Sequence, residues 1–415
     1  MTTQTSVGCT VCGCVCDDLA VAVENGRVTA ARGACHLAEP WFLSQNATRP
    51  PAATVGDQPA EPEAAFDRAA EILRAARYPL VYGLSRSTTE AQRAAVALTE
   101  KLGGTVDTTA STGHAPSLMA LQQVGESTCT LGEVKNRADL VVFWGSDPVV
   151  THPRHMERYS VDAVGRWVPG GRAGRFVVVV DDRVTESAKR ADLFVPVPSG
   201  RNWEALWTLR MLCKGLAAPA PEPLAALAAR VASARCGAFF FGAGLTRERQ
   251  AHRAVEALLQ LVSELNDRGR FYARRMRRYG DVAGADSVLA WQTGYPFGVN
   301  LSRGYPRYNP GEFTGPEMLA RGEPDACLLI GSETAADFPP AAIEHLRRVP
   351  VIALDSANVA PPVPAAVRFT TAVYGVHRPG TAYRMDEVPV PLRVILPTDY
   401  PSDAEVLNEL LKRVG

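Results

Sequence analysis

The stretch GCTVCGCVCDDL, residues 8–19, places Cys9, Cys12 and Cys16 at a C-x2-C-x3-C spacing, and Cys35 follows after eighteen intervening residues in RGACHLAEP. Two thiols separated by two residues turn back on each other. A third on the following turn and a fourth from a separate segment complete a shell of four thiolates. Iron–sulfur clusters are held in this way, and an all-cysteine zinc site uses similar pairs. Spacing alone leaves the choice open. Cys14, between two ligands, is expected to point away. Cys129, Cys213, Cys236 and Cys327 are scattered singly along the chain; it is the clustering at the start that marks a ligand set.

The elements that position these groups follow from composition and periodicity. With 415 residues, 46% hydrophobic and 21% charged, the chain is too long for one compact core. Lys+Arg and Asp+Glu both number 44, so net charge gives no drive toward nucleic acid or a membrane surface. No apolar run approaches the roughly 18 residues of a membrane span, and MTTQTSVG lacks the features of a secretion signal. A cytoplasmic protein without stable disulfides is therefore expected. After a Pro-rich connector, ATRPPAATVGDQPAEPE, helix and strand patterns alternate. Residues 63–76 put Phe66, Ala69, Ile72 and Leu73 on one helical face. PLVYGL reads as a buried strand, TTEAQRAAVALTEKLGG as a helix closed by glycine, and TVDTT as the next strand. DLVVFWG, RFVVVVDD, AFFFGAG, ACLLIGS and PVIALDS are more apolar still. Such runs separated by helices predict an α/β fold with doubly wound parallel sheets, whose strand ends in Gly, Asp or Ser are where ligands bind. Neither GxGxxG nor GxxxxGK[ST] occurs, and no strict internal repeat is visible.

Three segments together resemble a known family. The cysteine cluster, DLVVFWGSDP and VVVVDDRVTESAKRADLFVPVPSGR look like the molybdopterin oxidoreductases of the formate dehydrogenase and dimethyl sulfoxide reductase type. STCTLGEVKNRADLVVFWGSDPVVTHPRHMERY (127–159), GYPFGVNLSRGYPRYNPGEF (294–313) and GTAYRMDEVPVPLR (380–393) narrow this to a resemblance to the B subunit of formylmethanofuran dehydrogenase, over nearly the whole chain. The resemblance implies a small N-terminal lobe with a [4Fe-4S] cluster on Cys9, Cys12, Cys16 and Cys35. It also implies two Rossmann-like α/β domains gripping a molybdenum or tungsten bis-pterin guanine dinucleotide, without the C-terminal cap domain of larger relatives. The expected divisions are 1–56 for the lobe, completed by 374–415; 57–130 with 262–373; and 131–261. An amidohydrolase-type A subunit, together with the C and D subunits of the same complex, are the implied partners, with the formyl carrier handled by them.

The resemblance also directs attention to particular residues. Gly145, Ser146 and Asp147 end a strand where free amides and short side chains can approach a phosphate or ribose, although a plain strand-to-loop turn has the same composition. Asp181, Asp182 and Arg183 end the next strand; in the family the acid there reads guanine, while Thr185 or Ser187 can cap the turn that follows. SRGYPRYNPGEF carries Arg303, Tyr305, Arg307, Tyr308 and Asn309 in a Pro/Gly-pinned loop, and its arginines suit pyrophosphate or pterin oxygens. In TTASTGHAPSLMALQ (108–122) the family's metal-binding cysteine or selenocysteine is replaced by Gly113. His114 and Arg277, the family's active-site pair, remain as proton-transfer and formate-clamping candidates or as relics. The expectation is a redox-impaired scaffold of a formyltransferase/hydrolase complex, as in methylotrophs. The alternatives are an active molybdenum or tungsten enzyme interconverting CO2 and formate, and a metal-storing or electron-relay module that uses only the cluster.

Overall fold

Val177 to Val180 are all wholly buried, as in a parallel strand covered on both faces. The computed structural model describes residues 2–46 and 49–415 and divides the chain into two units, Met1–Thr112 with Tyr279–Gly415, and Gly113–Arg278. The Gly113–Arg278 unit is built on five parallel strands in the spatial order Leu193–Pro196, Phe176–Asp181, Leu140–Trp144, Cys236–Phe241, Arg270–Arg275. Numbered along the chain, this is 3-2-1-4-5, a doubly wound order that reverses direction between the 140–144 and 236–241 strands. Helices Asn202–Cys213, Glu222–Ser233 and Ala251–Leu265 pack into its core. The last of these buries Val255, Leu258, Leu259 and Val262, an i, i+3, i+4, i+7 stripe.

The other unit carries a nine-stranded sheet. Its five central strands are parallel, in the order Thr105–Thr108, Pro79–Gly83, Ala326–Ile330, Val351–Ser356, Val367–Thr371. Antiparallel pairs flank them, Val299–Asn300 with Arg307–Tyr308 on one side and Ala53–Val55 with Gln58–Pro59 on the other. Read from the opposite edge, the central five have the same arrangement as the five-stranded sheet. The 326–330, 351–356 and 367–371 strands take the places of 140–144, 176–181 and 193–196. The 79–83 and 105–108 strands take those of 236–241 and 270–275. Only the order along the chain is permuted. The repeat extends to single bonds: Gly145 N donates to Val180 O at 2.8 Å and Gly331 N to Leu354 O at 2.9 Å, with φ of +56° and +69° at the two glycines. No strict repeat shows in the sequence, because packing conserves strand order and strand-end geometry rather than residues.

The Pro-rich connector is only partly a connector. Residues 47 and 48 lie outside the described residues, but 53–59 form an edge hairpin that turns at Gly56, φ +57°. Pro59 is tolerated there because an edge strand need not donate on its outer side. The helix expected at 63–76 runs Pro62–Ala75, and that at 88–104 runs Thr89–Leu102, closed by left-handed Gly103. An antiparallel three-stranded sheet, Thr2–Val7, Leu19–Glu24 and Arg27–Arg32, carries the cysteine loop between its first two strands. No helix of the described residues is long and apolar enough to cross a membrane.

Candidate functional site

The cysteine loop is held by its own backbone. Cys9 N donates to Cys16 O at 2.7 Å, and Val15 N to Cys12 O at 3.1 Å. Val15 is wholly buried with φ +36°, a costly conformation for a β-branched residue that persists only where its surroundings impose it. It packs with Tyr374, Ala382, Val390 and Leu392, so the hairpin Gly380–Tyr383/Pro389–Leu392 braces the loop from behind. Cys35 lies beyond the third strand, its carbonyl accepting from Ala38 and Glu39 at the start of helix Ala38–Ser44. Burial raises the Cys9 thiol well above its ordinary range, and the fields of Cys12, Cys16 and Cys35 raise it further, while the Val11 N–H acts the other way. Cys14 is buried within the same loop. Among the described residues, no three His, Cys, Asp or Glu side chains stand close enough to share a single metal ion.

At the reversal of the five-stranded sheet, two strand ends interlock through glycine. A Cβ on Gly145 would lie 2.8 Å from the Gly244 backbone, and one on Gly242 would lie 2.9 Å from Gly145 O. Gly244 N donates to Gly145 O at 2.9 Å. Gly145 is therefore required by this close approach. Its partner glycines in AFFFGAG had the same signal in the sequence, glycine immediately after a buried strand. Ser146 is buried beside them. Asp147 accepts from Ser187 N at 3.0 Å and Ser187 Oγ at 2.5 Å, tying the loop after one strand to the loop after the next. Thr185 Oγ1 accepts from Ala188 N at 3.1 Å, so the cap falls to Thr185. Asp181 is half-buried at the end of its strand, with Asp182 and Arg183 exposed beside it. Burial, then the hydrogen bond and charge of Asp182, push the Asp181 carboxyl up to about 6. At the same level of the nine-stranded sheet, Asp355 is engaged internally, accepting from Ser332 N and Oγ at 2.8 Å each. Of the two equivalent acids, Asp181 is the one the fold leaves open.

Gly113 ends the short helix Ala110–Gly113, and His114 is half-buried at the N-cap of helix Ala115–Val124. Nothing lies within 4 Å of where a Gly113 Cβ would stand, and its φ is not left-handed. Neither backbone conformation nor crowding asks for glycine there. Thr246 Oγ1 donates to Gly113 O at 2.9 Å, and Met276 N to Phe241 O at 2.8 Å. These bonds bring Gly113 and the Arg277 segment to the end of the same strand, Cys236–Phe241. Arg277 is buried, and its carbonyl accepts from His152 Nε2 at 2.7 Å. His152, itself buried, is not singled out by the sequence, because a histidine within THPRH carries no spacing that marks it.

The 301–309 loop belongs to the other unit. Arg307 Nη2 donates to Asn300 Oδ1 at 2.5 Å and Ser302 Oγ at 3.1 Å, and its guanidinium lies 4.8 Å over the Phe313 ring, so it holds the loop together. Asn309 Nδ2 donates to Glu312 at 2.9 Å, while Arg303 and Tyr305 are exposed. The base of the loop is pinned by a residue the sequence did not reveal. Asp107, fully buried, accepts from Gly298 N at 2.9 Å, Gly315 N at 2.6 Å and Thr108 N at 2.8 Å. Its burial outweighs these donors and lifts the carboxyl to about 7.

No family model matches the chain. Among curated proteins, the B subunit of the tungsten-containing formylmethanofuran dehydrogenase 2 of Methanocaldococcus jannaschii is 40% identical over 99% of this chain and 98% of that one. The protein of the same name from Methanococcus maripaludis is 38% identical over the same shares. The B subunit of the formyltransferase/hydrolase complex Fhc of Methylorubrum extorquens is 28% identical over 68% of this chain and 75% of its own. The crystal structure of that FhcABCD complex with methylofuran matches with a TM-score of 0.74 at 25% identity, covering 88% of this chain and 98% of the matched one. Acetylene hydratase from Pelobacter acetylenicus, at 11% identity and a TM-score of 0.65 over 98% of this chain and 69% of its own, shares the fold.

Proposed function

The chain belongs to the family of formylmethanofuran dehydrogenase B subunits, and from that premise we propose that it is the redox-impaired B subunit of a formyltransferase/hydrolase complex in one-carbon metabolism. Its partners in this reading are an amidohydrolase-type A subunit, with the C and D subunits, as in the FhcABCD assembly. The observation that carries the reading is Gly113. The family's thiolate or selenolate ligand is missing at a position with open space around it, where the backbone places no demand for glycine. The residues present do not fit a metal needing a protein thiolate there.

Two other groups fit the residues. Cys9, Cys12, Cys16 and Cys35 share one electrostatic environment, and four thiolates are the donor set that a [4Fe-4S] cluster takes. The crevice at Gly145–Asp147 and Asp181 has the switch-point position and the open acid suited to a guanine nucleotide, so the nucleotide end of a molybdopterin guanine dinucleotide has a place to bind. When bound, that cofactor supplies metal and dithiolene chemistry; the chain supplies Asp181 toward guanine, and His114 and Arg277 toward a carboxylate.

A second reading, an active tungsten enzyme interconverting CO2 and formate, is favoured by one comparison: identity is higher to the tungsten-containing relatives, 40%, than to the Fhc relative, 28%. One experiment separates the two. The complex purified without oxygen should hydrolyse its formylated carrier to formate and contain iron, with no formate-dependent viologen reduction. Viologen reduction at a rate that scales with tungsten or molybdenum content would establish the second reading.

A further inference from the structure

We infer that Arg86 is a positioning residue for the cysteine loop, and that its charge holds the reduction potential of the cluster up while Glu333 pulls it down. Arg86 follows the Pro79–Gly83 strand, far from the cysteines in sequence. Its Nη1 donates to the carbonyls of Thr10 and Val11, at 3.4 Å each, the two residues between Cys9 and Cys12. The Thr10 carbonyl belongs to the same peptide group as the Val11 N–H, whose dipole favours the Cys9 thiolate. A cation on the oxygen of a peptide polarises the whole unit and strengthens the bond its N–H makes. Hydrogen bonds to the sulfurs and nearby charge are among the factors that set a cluster's potential. Arg86, bonded to the two carbonyls between Cys9 and Cys12, is placed to act on the cysteine loop in both ways.

The fold builds room for this arginine. Gly331, at φ +69°, would place a Cβ only 3.0 Å from Arg86 Cβ, so the glycine at the end of the 326–330 strand clears its stem. The guanidinium lies 4.9 Å from the centre of the Tyr279 ring, and Nε faces Glu333 Oε1 at 3.3 Å. Arg86, Glu333 and Thr10 share one cavity of about 230 Å³ with Tyr374 and Asp403, at the ends of the 326–330, 351–356 and 367–371 strands. The second oxygen of Glu333 is buried with no hydrogen-bond partner among the described residues, and the carboxylate sets a negative charge beside the positive one of Arg86.

This inference rests on the proposed cluster, and its test separates the two claims. In the purified complex, iron content is measured first, and the cluster is then titrated with electrons and followed by electron paramagnetic resonance. Arg86→Gln should lower the midpoint, with a reduced-to-oxidised ratio at fixed potential about tenfold smaller, roughly 59 mV for one electron. Arg86→Lys should restore most of it. Glu333→Gln should move the midpoint up. Iron present with an unchanged midpoint in Arg86→Gln overturns the inference, as do shifts of the same sign in Arg86→Gln and Glu333→Gln. If Arg86→Gln fails to fold, the milder Glu333→Gln decides, and an unchanged midpoint there overturns the inference. A wild-type complex without iron overturns the cluster itself.

Discussion

Single residues set the chemistry that can be tested most directly. Asp181 must be ionised to accept from the N1–H and exocyclic amine of guanine, and its carboxyl is held near 6 by burial first and Asp182 second. Affinity for GDP, measured by calorimetry, should therefore rise as pH passes upward through about 6, approaching tenfold per unit below it. Asp182→Asn removes the like charge and should move that midpoint lower; a flat profile would remove Asp181 from the site. In the cysteine loop, Cys14→Ser should keep about four irons per chain and the brown absorbance, whereas Cys12→Ser should lose both. Stoichiometric zinc would refute the assignment. Asp107 bears on stability instead. Its folded pKa of about 7 exceeds the ordinary value of about 3.9, so the folded chain binds the proton more tightly than the unfolded one. The stability it contributes is present at acid pH and is lost as pH rises through about 7. Asp107→Asn should flatten that part of the pH dependence in thermal melts; an unaltered profile would show that the carboxyl is ionised throughout.

Between elements, glycine has opposite meanings at two positions that look alike in the sequence. Gly145 ends a strand in a left-handed conformation against the Gly244 backbone, and Gly113 ends a helix facing open space. Gly145→Ala should cost roughly 1 kcal/mol in conformation alone, with the steric conflict added, and should weaken nucleotide binding at the crevice. Gly113→Ala should leave the melting temperature unchanged within about 0.5 kcal/mol of stability. Equal losses in the two variants would contradict the packing described for the strand ends. The strands themselves were legible because each is a short contiguous apolar run: 140–144, 176–181, 326–330 and 351–356 all lie inside the segments read from the sequence. The two-residue strands at 299–300 and 307–308 were not. They owe their existence to pairing at a sheet edge and carry no pattern of their own.

At the level of the whole chain, the two sheets repeat one strand order with the chain threaded through it differently. Each sheet thus has its own reversal point, and the glycines, serines and acids after the strands collect there. The cysteine loop is carried by the same unit as the nine-stranded sheet, through Arg86 and the hairpin behind Val15. Coexpression with the A, C and D partners should yield a single assembly containing this chain on size exclusion, and recovery of the chain only by itself would argue against the proposed complex.

Residue type and local spacing were enough to nominate the four cysteines, to place the buried strands and the helices at 62–75 and 89–102, and to show the absence of a thiol at Gly113, since each of these is a local property of the chain. Which strand ends meet was settled only once the chain was packed. There Gly145 locks against Gly244, Asp107 holds Gly298 and Gly315 from 191 and 208 residues away, and Arg86 lies between Thr10 and Glu333. Such pairs leave no periodic trace in the chain. They form because packing parallel strands into one order carries distant, locally unremarkable residues to the same edge of a sheet, where buried polar groups must find partners.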